Sequence, residues 1–563
     1  LRHASANIET GNEGQLKTDL AVNMPISSTL AVRLAGSMQK RDGVHTITNL
    51  DNLQVGKLDN LAARLSVLFR PSDKFNAVLK LSTHSYDAGG WANKSTTTDF
   101  GATAGIFDRE MEQDNSFLPP ADLNKATSVS LTANYVLSPN LYLNAQTVYS
   151  EVDQEFAFDG DGTPFYLANV DNPNGADYMG QEVRLNGRAN KLDWMAAVSI
   201  YNENVWQDLT VNFDDATLLD IFVGIDCTGL DCLENAKETS RNEGVYNTTA
   251  AYGNATYQIT DKLGVTAGLR YTIDNKDFAA DMKIGNGAFH AVVEGNILGA
   301  PQTVEVSKSW SGISPRLAVS YKLSDMVNVY GSFNKGYKAG GFNNYTGITF
   351  EPETNNAIEA GVKTNIGNDK GRLNVSVYNY DYKDLQVESI INGAVEVTNA
   401  ADVATKGAEV EFGYELLPGL QVIANYSLTD AEYVNYDIDD STSFSGNIPA
   451  RSPKTSYNTI LQYRKPVGNI GDLFARLDYS YQSKVFHTRE NDINFSDPYS
   501  LVNGSIGLDN AFGTGINISL FGANLTDEEY VVYAEDILGV GPYYLMGFPM
   551  TVGLRLGIDG FNW

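Results

Sequence analysis

The stretch Ser311–Asn344, SGISPRLAVSYKLSDMVNVYGSFNKGYKAGGFNN, decides how the whole chain is interpreted. Its alternating positions on both sides of a polar turn are Leu317, Val319, Tyr321, Val327, Val329, Gly331 and Phe333. Side chains of a β-strand point alternately to its two faces, so this spacing predicts a hairpin with one apolar and one polar face. The return strand runs through the glycine-rich segment 336–341 into a long polar loop. A short turn at one end and a long excursion at the other are typical of a membrane β-barrel.

The same asymmetry repeats along the chain. Short, turn-like connections occur at 27–29, 70–73, 138–140, 260–262, 323–325, 367–371, 417–419 and 510–513. Every second connection is instead long, polar and irregular. About 22 alternating segments lie between the connections, the last of them near Tyr544–Ile558, and bacterial outer-membrane barrels have an even number of strands.

We therefore expect an all-β fold: a transmembrane antiparallel β-barrel of about 22 strands, with short periplasmic turns and long extracellular loops. The apolar face would contact lipid. The polar face would line the interior with charged residues, either in ordinary ion pairs or in contact with a ligand: Arg316, Lys322, Arg476 and Asp478. The sheet must close on itself, because an open edge in hydrocarbon leaves backbone groups without partners.

The composition suits many strands joined by glycine-rich turns. The 563 residues include 51 Gly and 31 Tyr but only 17 Pro, and 42% are hydrophobic. No run of 18 apolar residues occurs, so the sequence contains no candidate membrane-spanning helix. The N-terminal segment, Leu1–Ser5, lacks the apolar core of a secretion signal, and we expect a mature or truncated front end.

The formal net charge is −29. A protein that binds nucleic acid should be basic, so we expect no nucleic-acid partner. The acidity has two explanations, solubility of long exposed loops or a carboxylate-rich rim that attracts divalent ions. Candidate Ca²⁺ ligands at close spacing are Asp159 with Asp161, or Asp437 with Asp439 and Asp440. The alternative is that both stretches are solvated acidic loops, and no cofactor is required.

The two cysteines, Cys227 and Cys232, lie close together in one polar loop. A zinc site would need two further ligands, and the neighbouring sequence offers no histidine. We therefore favour a local disulfide, formed in an oxidising compartment, that stiffens the loop.

The sequence shows no catalytic constellation. The five histidines are scattered, and a haem or metal site would need two of them to converge: His3, His45, His84, His290 and His487. A Gly-x-Ser-x-Gly elbow and a phosphate-cradling loop are both absent from the sequence. We therefore expect that the protein is not an enzyme.

Short segments of the C-terminal half, in order and at barrel-like spacing, carry a family resemblance. They are Ser314–Arg316 (SPR), Gly336–Phe342 (GYKAGGF), Pro352–Thr354 (PET), Glu359–Lys363 (EAGVK), Tyr380–Gln386 (YDYKDLQ), Lys406–Glu411 (KGAEVE) and Asn524–Tyr530 (NLTDEEY). Together they resemble the β-barrel of a TonB-dependent outer-membrane receptor, and the N-terminal part is similar by strand pattern alone. The terminal aromatic Trp563 also resembles the signal by which outer-membrane barrels are recognised for assembly.

The resemblance implies an energised importer in the outer membrane of a Gram-negative bacterium, in contact with the lipid bilayer and with lipopolysaccharide. In this family a plug domain fills the barrel, and the TonB–ExbB–ExbD motor pulls on a short N-terminal box. The usual ligands are scarce compounds such as ferric siderophores, haem, cobalamin or some glycans. Because the first predicted strand already includes residue 5, we expect residues 1–563 to be the barrel alone, without plug or motor box.

Aromatic residues placed in the outer loops are candidates for gripping the ligand. They are Trp91, Trp206, Trp310, Tyr337, Phe342 and Tyr345. The alternative is that many of them belong to the aromatic girdle at the membrane interface, which barrels need in any case.

Two other functions stay open at this point. A passive diffusion channel would show a large steady conductance, and a structural barrel that anchors surface proteins or lipoproteins would co-purify with a fixed partner. A plug and motor box upstream of the barrel would favour the energised receptor.

Overall fold

The computed structural model describes residues 2–48, 50–90, 94–95, 110–111, 121–160, 166, 169–283, 285–293, 302–344, 346–391, 394–438, 441–535 and 543–561. Of the candidate residues above, Trp91, Tyr345, Asp161, Asp439 and Asp440 lie outside these ranges, as does the terminal Trp563.

Twenty-two strands form one closed antiparallel barrel, which confirms the predicted fold. In chain order they are β1 His3–Gly11, β2 Leu16–Pro25, β3 Leu30–Arg41, β4 Leu58–Ser72, β5 Phe75–Asp87, β6 Ala121–Ser138, β7 Leu141–Asp159, β8 Asn174–Ala189, β9 Leu192–Phe213, β10 Ala236–Gln258, β11 Leu263–Lys283, β12 Gln302–Ser324, β13 Val327–Lys338, β14 Glu353–Ile366, β15 Gly371–Ile391, β16 Ala394–Leu417, β17 Leu420–Tyr436, β18 Thr455–Pro466, β19 Asp472–Gln482, β20 Tyr499–Ala511, β21 Ile516–Ala523 and β22 Thr551–Phe561. Each strand pairs with its sequence neighbours, and β1 pairs with β22, with Ile8 opposite Leu556. The ring therefore has no edge, and its backbone donors and acceptors are paired within the wall.

Short strands and helices lie in the connections between the barrel strands. The short strands are His45–Ile47, Leu53–Val55, Lys94–Ser95, Glu110–Met111, Asn169–Asp171, Gly341–Phe342, Thr349–Phe350, Val485–Phe486, Phe495–Ser496, Val531–Glu535 and Tyr543–Met546. Two short α-helices, α1 Asp215–Leu218 and α2 Ala288–Val293, lie in loops, and a π-helical turn, Leu219–Val223, follows α1. Within the described ranges, no helix is long and apolar enough to cross a membrane.

One face of the wall is a continuous apolar band. In the opening hairpin Leu317 lies opposite Ala267 on β11 and Phe333 on β13, and Phe333 lies opposite Ile358 on β14. Leu317 is 50% exposed and Ile358 is 56% exposed, although both are large and apolar. Similar apolar residues continue around the ring, so this band is the surface that contacts lipid.

The other face is polar and lines the lumen. Asn144 donates to Asn134 at 2.7 Å and Asn134 donates to Asn76 at 2.9 Å, so side-chain amides join three neighbouring strands. The charged residues predicted for the interior lie on this face: Arg316, Lys322, Arg476 and Asp478. Arg476 and Asp478 form an ion pair at 2.6 Å, the ordinary pairing considered above for this face.

The connections at the two ends of the barrel differ, as predicted, with two exceptions. At the periplasmic end all ten connections are short turns, whereas the extracellular end carries the long loops. Two extracellular connections are also short: 12–15 between β1 and β2, and the two residues between Ile391 and Ala394. The expectation that every second connection is long is wrong at these two places. Gly14 has a φ of 60°, which suits the tight turn after β1 because glycine lacks a Cβ.

The predicted last strand, Tyr544–Ile558, is also wrong in its extent. Tyr543–Met546 pairs with Val531–Glu535 in a separate small sheet, and β22 begins only at Thr551. Pro549 lies between the two segments and has no N–H to donate, which disfavours a continuous strand. β22 then continues to Phe561, and a bulge at Gly560 of β22, opposite the step from Ala4 to Ser5 in β1, absorbs the change of register near the end.

A buried carboxylate joins two extracellular loops. Asp215 is fully buried at the start of α1 and accepts backbone N–H groups from Leu233 at 2.9 Å, Ala288 at 2.8 Å and Phe289 at 3.1 Å. The ring of Phe289 packs edge-on against Phe213 at the end of β9, with 5.9 Å between the centroids. These contacts fold both loops over the luminal side of the β9–β10 wall.

A second packed region joins the loops after β17, β19 and β21. The His487 side chain is within hydrogen-bond distance of Ser496 Oγ at 2.6 Å, and its ring lies 5.5 Å from that of Tyr533. The guanidinium of Arg451 lies 5.0 Å from the centre of the same tyrosine ring. Burial, and then the positive charge of Arg451, lower the pKa of His487 to about 4.

We predict that Leu317→Lys destabilises the barrel by about 2–4 kcal/mol, because it places a charge on the lipid-facing band. The matched control is Ala318→Lys, one position along the strand, where the ammonium would enter the polar lumen. Urea unfolding in lipid vesicles measures both. Equal losses for the two variants would contradict the assignment of the two faces.

We predict that the loop region around His487 loosens as the pH falls from about 6.5 to about 4. In this window the open loop binds a proton at His487 that the packed loop excludes, so acid favours opening. Hydrogen–deuterium exchange, corrected for the intrinsic pH dependence, should show faster exchange at residues 485–496. His487→Gln should abolish this pH dependence, and if it persists unchanged in that variant the histidine is not its source.

Candidate functional site

An aromatic cluster lies on the luminal side of the wall at its extracellular end. It consists of Phe278 on β11, Trp310 on β12 and Phe342 in the loop after β13, each less than 9% exposed. Phe278 stacks on Phe342 with 5.7 Å between ring centroids, and Trp310 meets Phe342 edge-on at 5.6 Å. Phe278 and Trp310 both lie on the luminal face, because along its strand each alternates with residues that face the lipid.

Two lysines flank the indole ring of this cluster. Lys276 Nζ lies 5.9 Å and Lys308 Nζ 5.3 Å from the centre of the Trp310 ring. Lys276 also lies 5.2 Å from the Tyr246 ring and donates to the carbonyl oxygen of Gly340 at 2.8 Å. Cations close to aromatic faces are stabilised by the ring quadrupole, so the cluster combines apolar surface with positive charge.

The loop that contributes Phe342 is held against the wall at both of its ends. Near its C-terminal end, Glu351 accepts hydrogen bonds from Lys308 Nζ at 2.5 Å and from Trp310 Nε1 at 3.1 Å. The hydrogen bond from Lys308 lowers the pKa of Glu351 below its ordinary value. Next to Phe342, the Asn343 side chain exchanges two hydrogen bonds with the backbone of Val397 on β16, at 3.0 and 2.6 Å.

Tyr337 lies beside the cluster. Its hydroxyl donates to Asp274 at 3.2 Å, and Asp274 also accepts from Thr248 at 2.6 Å. The tyrosine ring occupies the space in which a Cβ on Gly312 would stand, only 2.3 Å from the nearest ring atom. A side chain at position 312 would therefore displace Tyr337 from its place on the wall.

The structure thus brings together three of the six aromatic candidates, Trp310, Phe342 and Tyr337. Trp206 is separate, because it shares its face of β9 with the exposed, lipid-facing Val198 and Ile200. The placement of the candidates in outer loops is wrong for Trp206, Trp310 and Tyr337, which all lie in strands that extend beyond the membrane. The roles of all six in ligand binding stay predictions.

Sequence reasoning missed Phe278, Lys276 and Lys308. The signal was present in the sequence, since Lys276 and Phe278 continue the luminal alternation that begins at Arg270 in the same strand. A second luminal group was also missed, in which Arg489 donates to the Tyr436 hydroxyl at 2.8 Å and lies 5.1 Å from the Phe444 ring. Both groups sit where extended strands and loops meet.

The other sequence candidates are placed as follows. Cys227 and Cys232 form a disulfide with 6.1 Å between their Cα atoms. Asp159 is fully buried at the end of β7, and Asp437 forms a β-bridge with Ser443. Among the residues that the structure describes, no three His, Cys, Asp or Glu side chains are grouped as metal ligands. Calcium binding near these aspartates therefore stays a prediction.

Comparison with known proteins places these features in a family. Residues 71–525 match the protein family described as "TonB dependent receptor-like, beta-barrel". The pesticin receptor of Yersinia enterocolitica is 24% identical over 321 residues, which are 56% of this chain and 44% of that protein. The chain therefore spans less than half the length of this curated relative.

Solved structures agree on the fold. The ferric yersiniabactin uptake receptor FyuA from Yersinia pestis superimposes with a TM-score of 0.81 at 18% identity, over 100% of this chain and 80% of that one. The siderophore receptor PiuA from Acinetobacter baumannii gives 0.78 at 12% identity, over 99% and 82%. Since the family match covers most of the barrel, the chain belongs to the TonB-dependent receptor-like β-barrel family, whose members are outer-membrane proteins of Gram-negative bacteria.

Proposed function

We propose that this protein is the barrel of an outer-membrane receptor that binds a ferric siderophore, or a similar scarce chelate, and imports it. The proposed binding site is the pair of lysines together with the buried aromatic cluster that they flank. Energy would come from the inner membrane, through a plug domain and the TonB–ExbB–ExbD motor.

The single observation that carries the proposal is the position of Trp310. Its ring lies on the luminal side of the extracellular mouth, between Lys276 and Lys308. Many ferric chelates combine planar organic groups with negative charge, so an aromatic surface flanked by cations is chemically suited to them. Proteins of similar fold, among them the ferric yersiniabactin uptake receptor of Yersinia pestis, support the same class of ligand.

The energised mechanism is favoured over a passive channel by the barrel's size. A ring of 22 strands encloses a lumen that, in barrels of this width, is normally plugged. A plug must be moved before a bound chelate can pass, and that movement needs work from outside the barrel.

We predict that Trp310→Ala weakens binding of ferric chelates by about tenfold or more, because the buried indole contacts Lys276, Lys308 and Glu351 and its loss would displace both lysines. The measurement is binding of ⁵⁵Fe-labelled hydroxamate, catecholate and citrate chelates to iron-starved cells that carry each variant in place of the wild-type gene. The matched control is Trp206→Ala, which removes the same side chain from the outward face. If wild type and Trp310→Ala bind every chelate equally, or if both variants lose binding equally, the aromatic cluster is not the site.

We predict that uptake, but not binding, stops when the proton gradient is collapsed with a protonophore. Cells lacking TonB should show the same loss, because the motor could no longer act on the plug. Uptake that continues at full rate in both cases would favour the passive channel.

A further inference from the structure

Four tyrosines pack together on the outward face of β17–β19. Tyr426, Tyr457 and Tyr481 are direct cross-strand partners in one row, and Tyr479 lies two positions nearer the periplasm, opposite Thr459. The ring of Tyr457 stacks on that of Tyr426 with 6.4 Å between centroids and on that of Tyr481 with 4.9 Å. It also lies 6.0 Å from the ring of Tyr479. We call these four residues the tyrosine patch.

The tyrosine patch faces the membrane and not the lumen. Tyr426 and Leu428 occupy alternate positions of β17 on the same side of the wall, and both are exposed. Towards the periplasm the same face continues with Val422, Leu461 and Leu477, which lie opposite one another in the next but one row. The patch is therefore continuous with the lipid-facing band, and its surroundings do not depend on what fills the barrel.

Strand length places the patch at the outer boundary of that band. Tyr457 lies nine residues from Pro466, the periplasmic end of β18. At about 3.3 Å per residue and a tilt of about 40°, this distance along the strand rises roughly 23 Å, close to the height of an apolar band about 25 Å tall. Tyr481 is the last residue but one of β19. The patch thus lies where the acyl chains of the outer leaflet end and its headgroups begin.

Hydroxyl groups are what the patch offers to those headgroups. The rings stack on one another, so their faces are covered and their edges and hydroxyls remain for a partner. Ser500 lies opposite Tyr481, and Thr459 opposite Tyr479, which adds two further hydroxyls to the same surface. Each hydroxyl can both donate and accept a hydrogen bond. With a strand spacing of about 4.8 Å, the three tyrosines of the row span roughly 10 Å.

Carboxylates border the patch on its extracellular side. Asp430 and Glu432 follow Tyr426 on the same face of β17, and both are exposed. Lys406 lies opposite Asp430 on β16, so this border carries more negative than positive charge. Carboxylates accept hydrogen bonds from sugar hydroxyls but repel a phosphate. The border therefore favours a headgroup built of sugars over one built around a single phosphate.

We propose that the tyrosine patch binds the sugar headgroup of an outer-leaflet glycolipid of the lipopolysaccharide class. A headgroup of linked sugar rings reaches all three tyrosines of the row at once, and its many hydroxyls can pair with theirs and with the carboxylates above. This inference goes beyond the proposed function and does not depend on it, because the patch faces the membrane and not the ligand.

The test measures lipid binding to the protein after purification from outer membranes in detergent and removal of bound lipid. The probes are rough lipopolysaccharide, which carries lipid A and core sugars, and phosphatidylglycerol, which is anionic but has no sugar ring. Native mass spectrometry gives an apparent Kd for each lipid. The variant Y426F/Y457F/Y481F removes three hydroxyls and keeps the rings, so the wall should fold unchanged. Its Kd for lipopolysaccharide should rise about tenfold or more, because hydrogen bonds to the headgroup are lost, whereas its Kd for phosphatidylglycerol should stay unchanged.

The matched control is Y135F/Y257F/Y321F, which removes three exposed tyrosine hydroxyls from the outward face near the periplasmic ends of β6, β10 and β12. It should bind lipopolysaccharide as the wild type does. Equal affinity of the wild type and Y426F/Y457F/Y481F for lipopolysaccharide would overturn the inference. Equal losses in the two triple variants, or an equal loss for the two lipids, would also overturn it and leave the patch as part of an ordinary aromatic girdle.

Discussion

The structure depends on one requirement: backbone N–H and C=O groups inside hydrocarbon must bond to each other. The ring of strands meets this requirement only if its first and last members pair, as β1 and β22 do from Ala4 to Gly11. A small bulge at Gly560 of β22 shifts the register by one residue, and the pairing then continues from Ala4 to Phe561. Because closure pairs the backbone all round the ring, only the side chains distinguish the lipid-facing surface from the lumen.

The proposed site follows from the same wall. A tilted strand needs about nine to eleven residues to cross the membrane, yet β9 to β12 have 21 to 23 residues each. Their luminal faces therefore continue above the membrane, with the same alternation and the same ladder of hydrogen bonds. Trp310, Phe278 and Lys276 are consequently held on rigid strands, and the loop adds only Phe342 and Glu351 to them.

The alternation of Leu317, Val319 and Tyr321 was sufficient to predict the hairpin, and its repetition was sufficient to predict the barrel. Period-two alternation is local, so sequence reasoning could follow it. The aromatic cluster was only partly predictable, because Phe278 and Phe342 meet across a long separation in sequence that no local pattern encodes. The boundaries between strands and loops were also predicted wrongly. Trp206, for example, was assigned to an outer loop but lies on a strand that extends beyond the membrane.

Because the strands differ in length, two opposite sides of the mouth differ in rigidity. From β18 round to β2 the strands have 8 to 13 residues, so on that side the rim consists of loops with small separate sheets rather than of the continuous barrel wall. Loop segments are held by fewer cooperative backbone bonds than a continuous sheet and open at lower cost. A ligand at the mouth would thus contact rigid strands at β9–β12, while the less rigid loops on the opposite side move more easily. Any movement that closes the mouth around the ligand should therefore come from those loops.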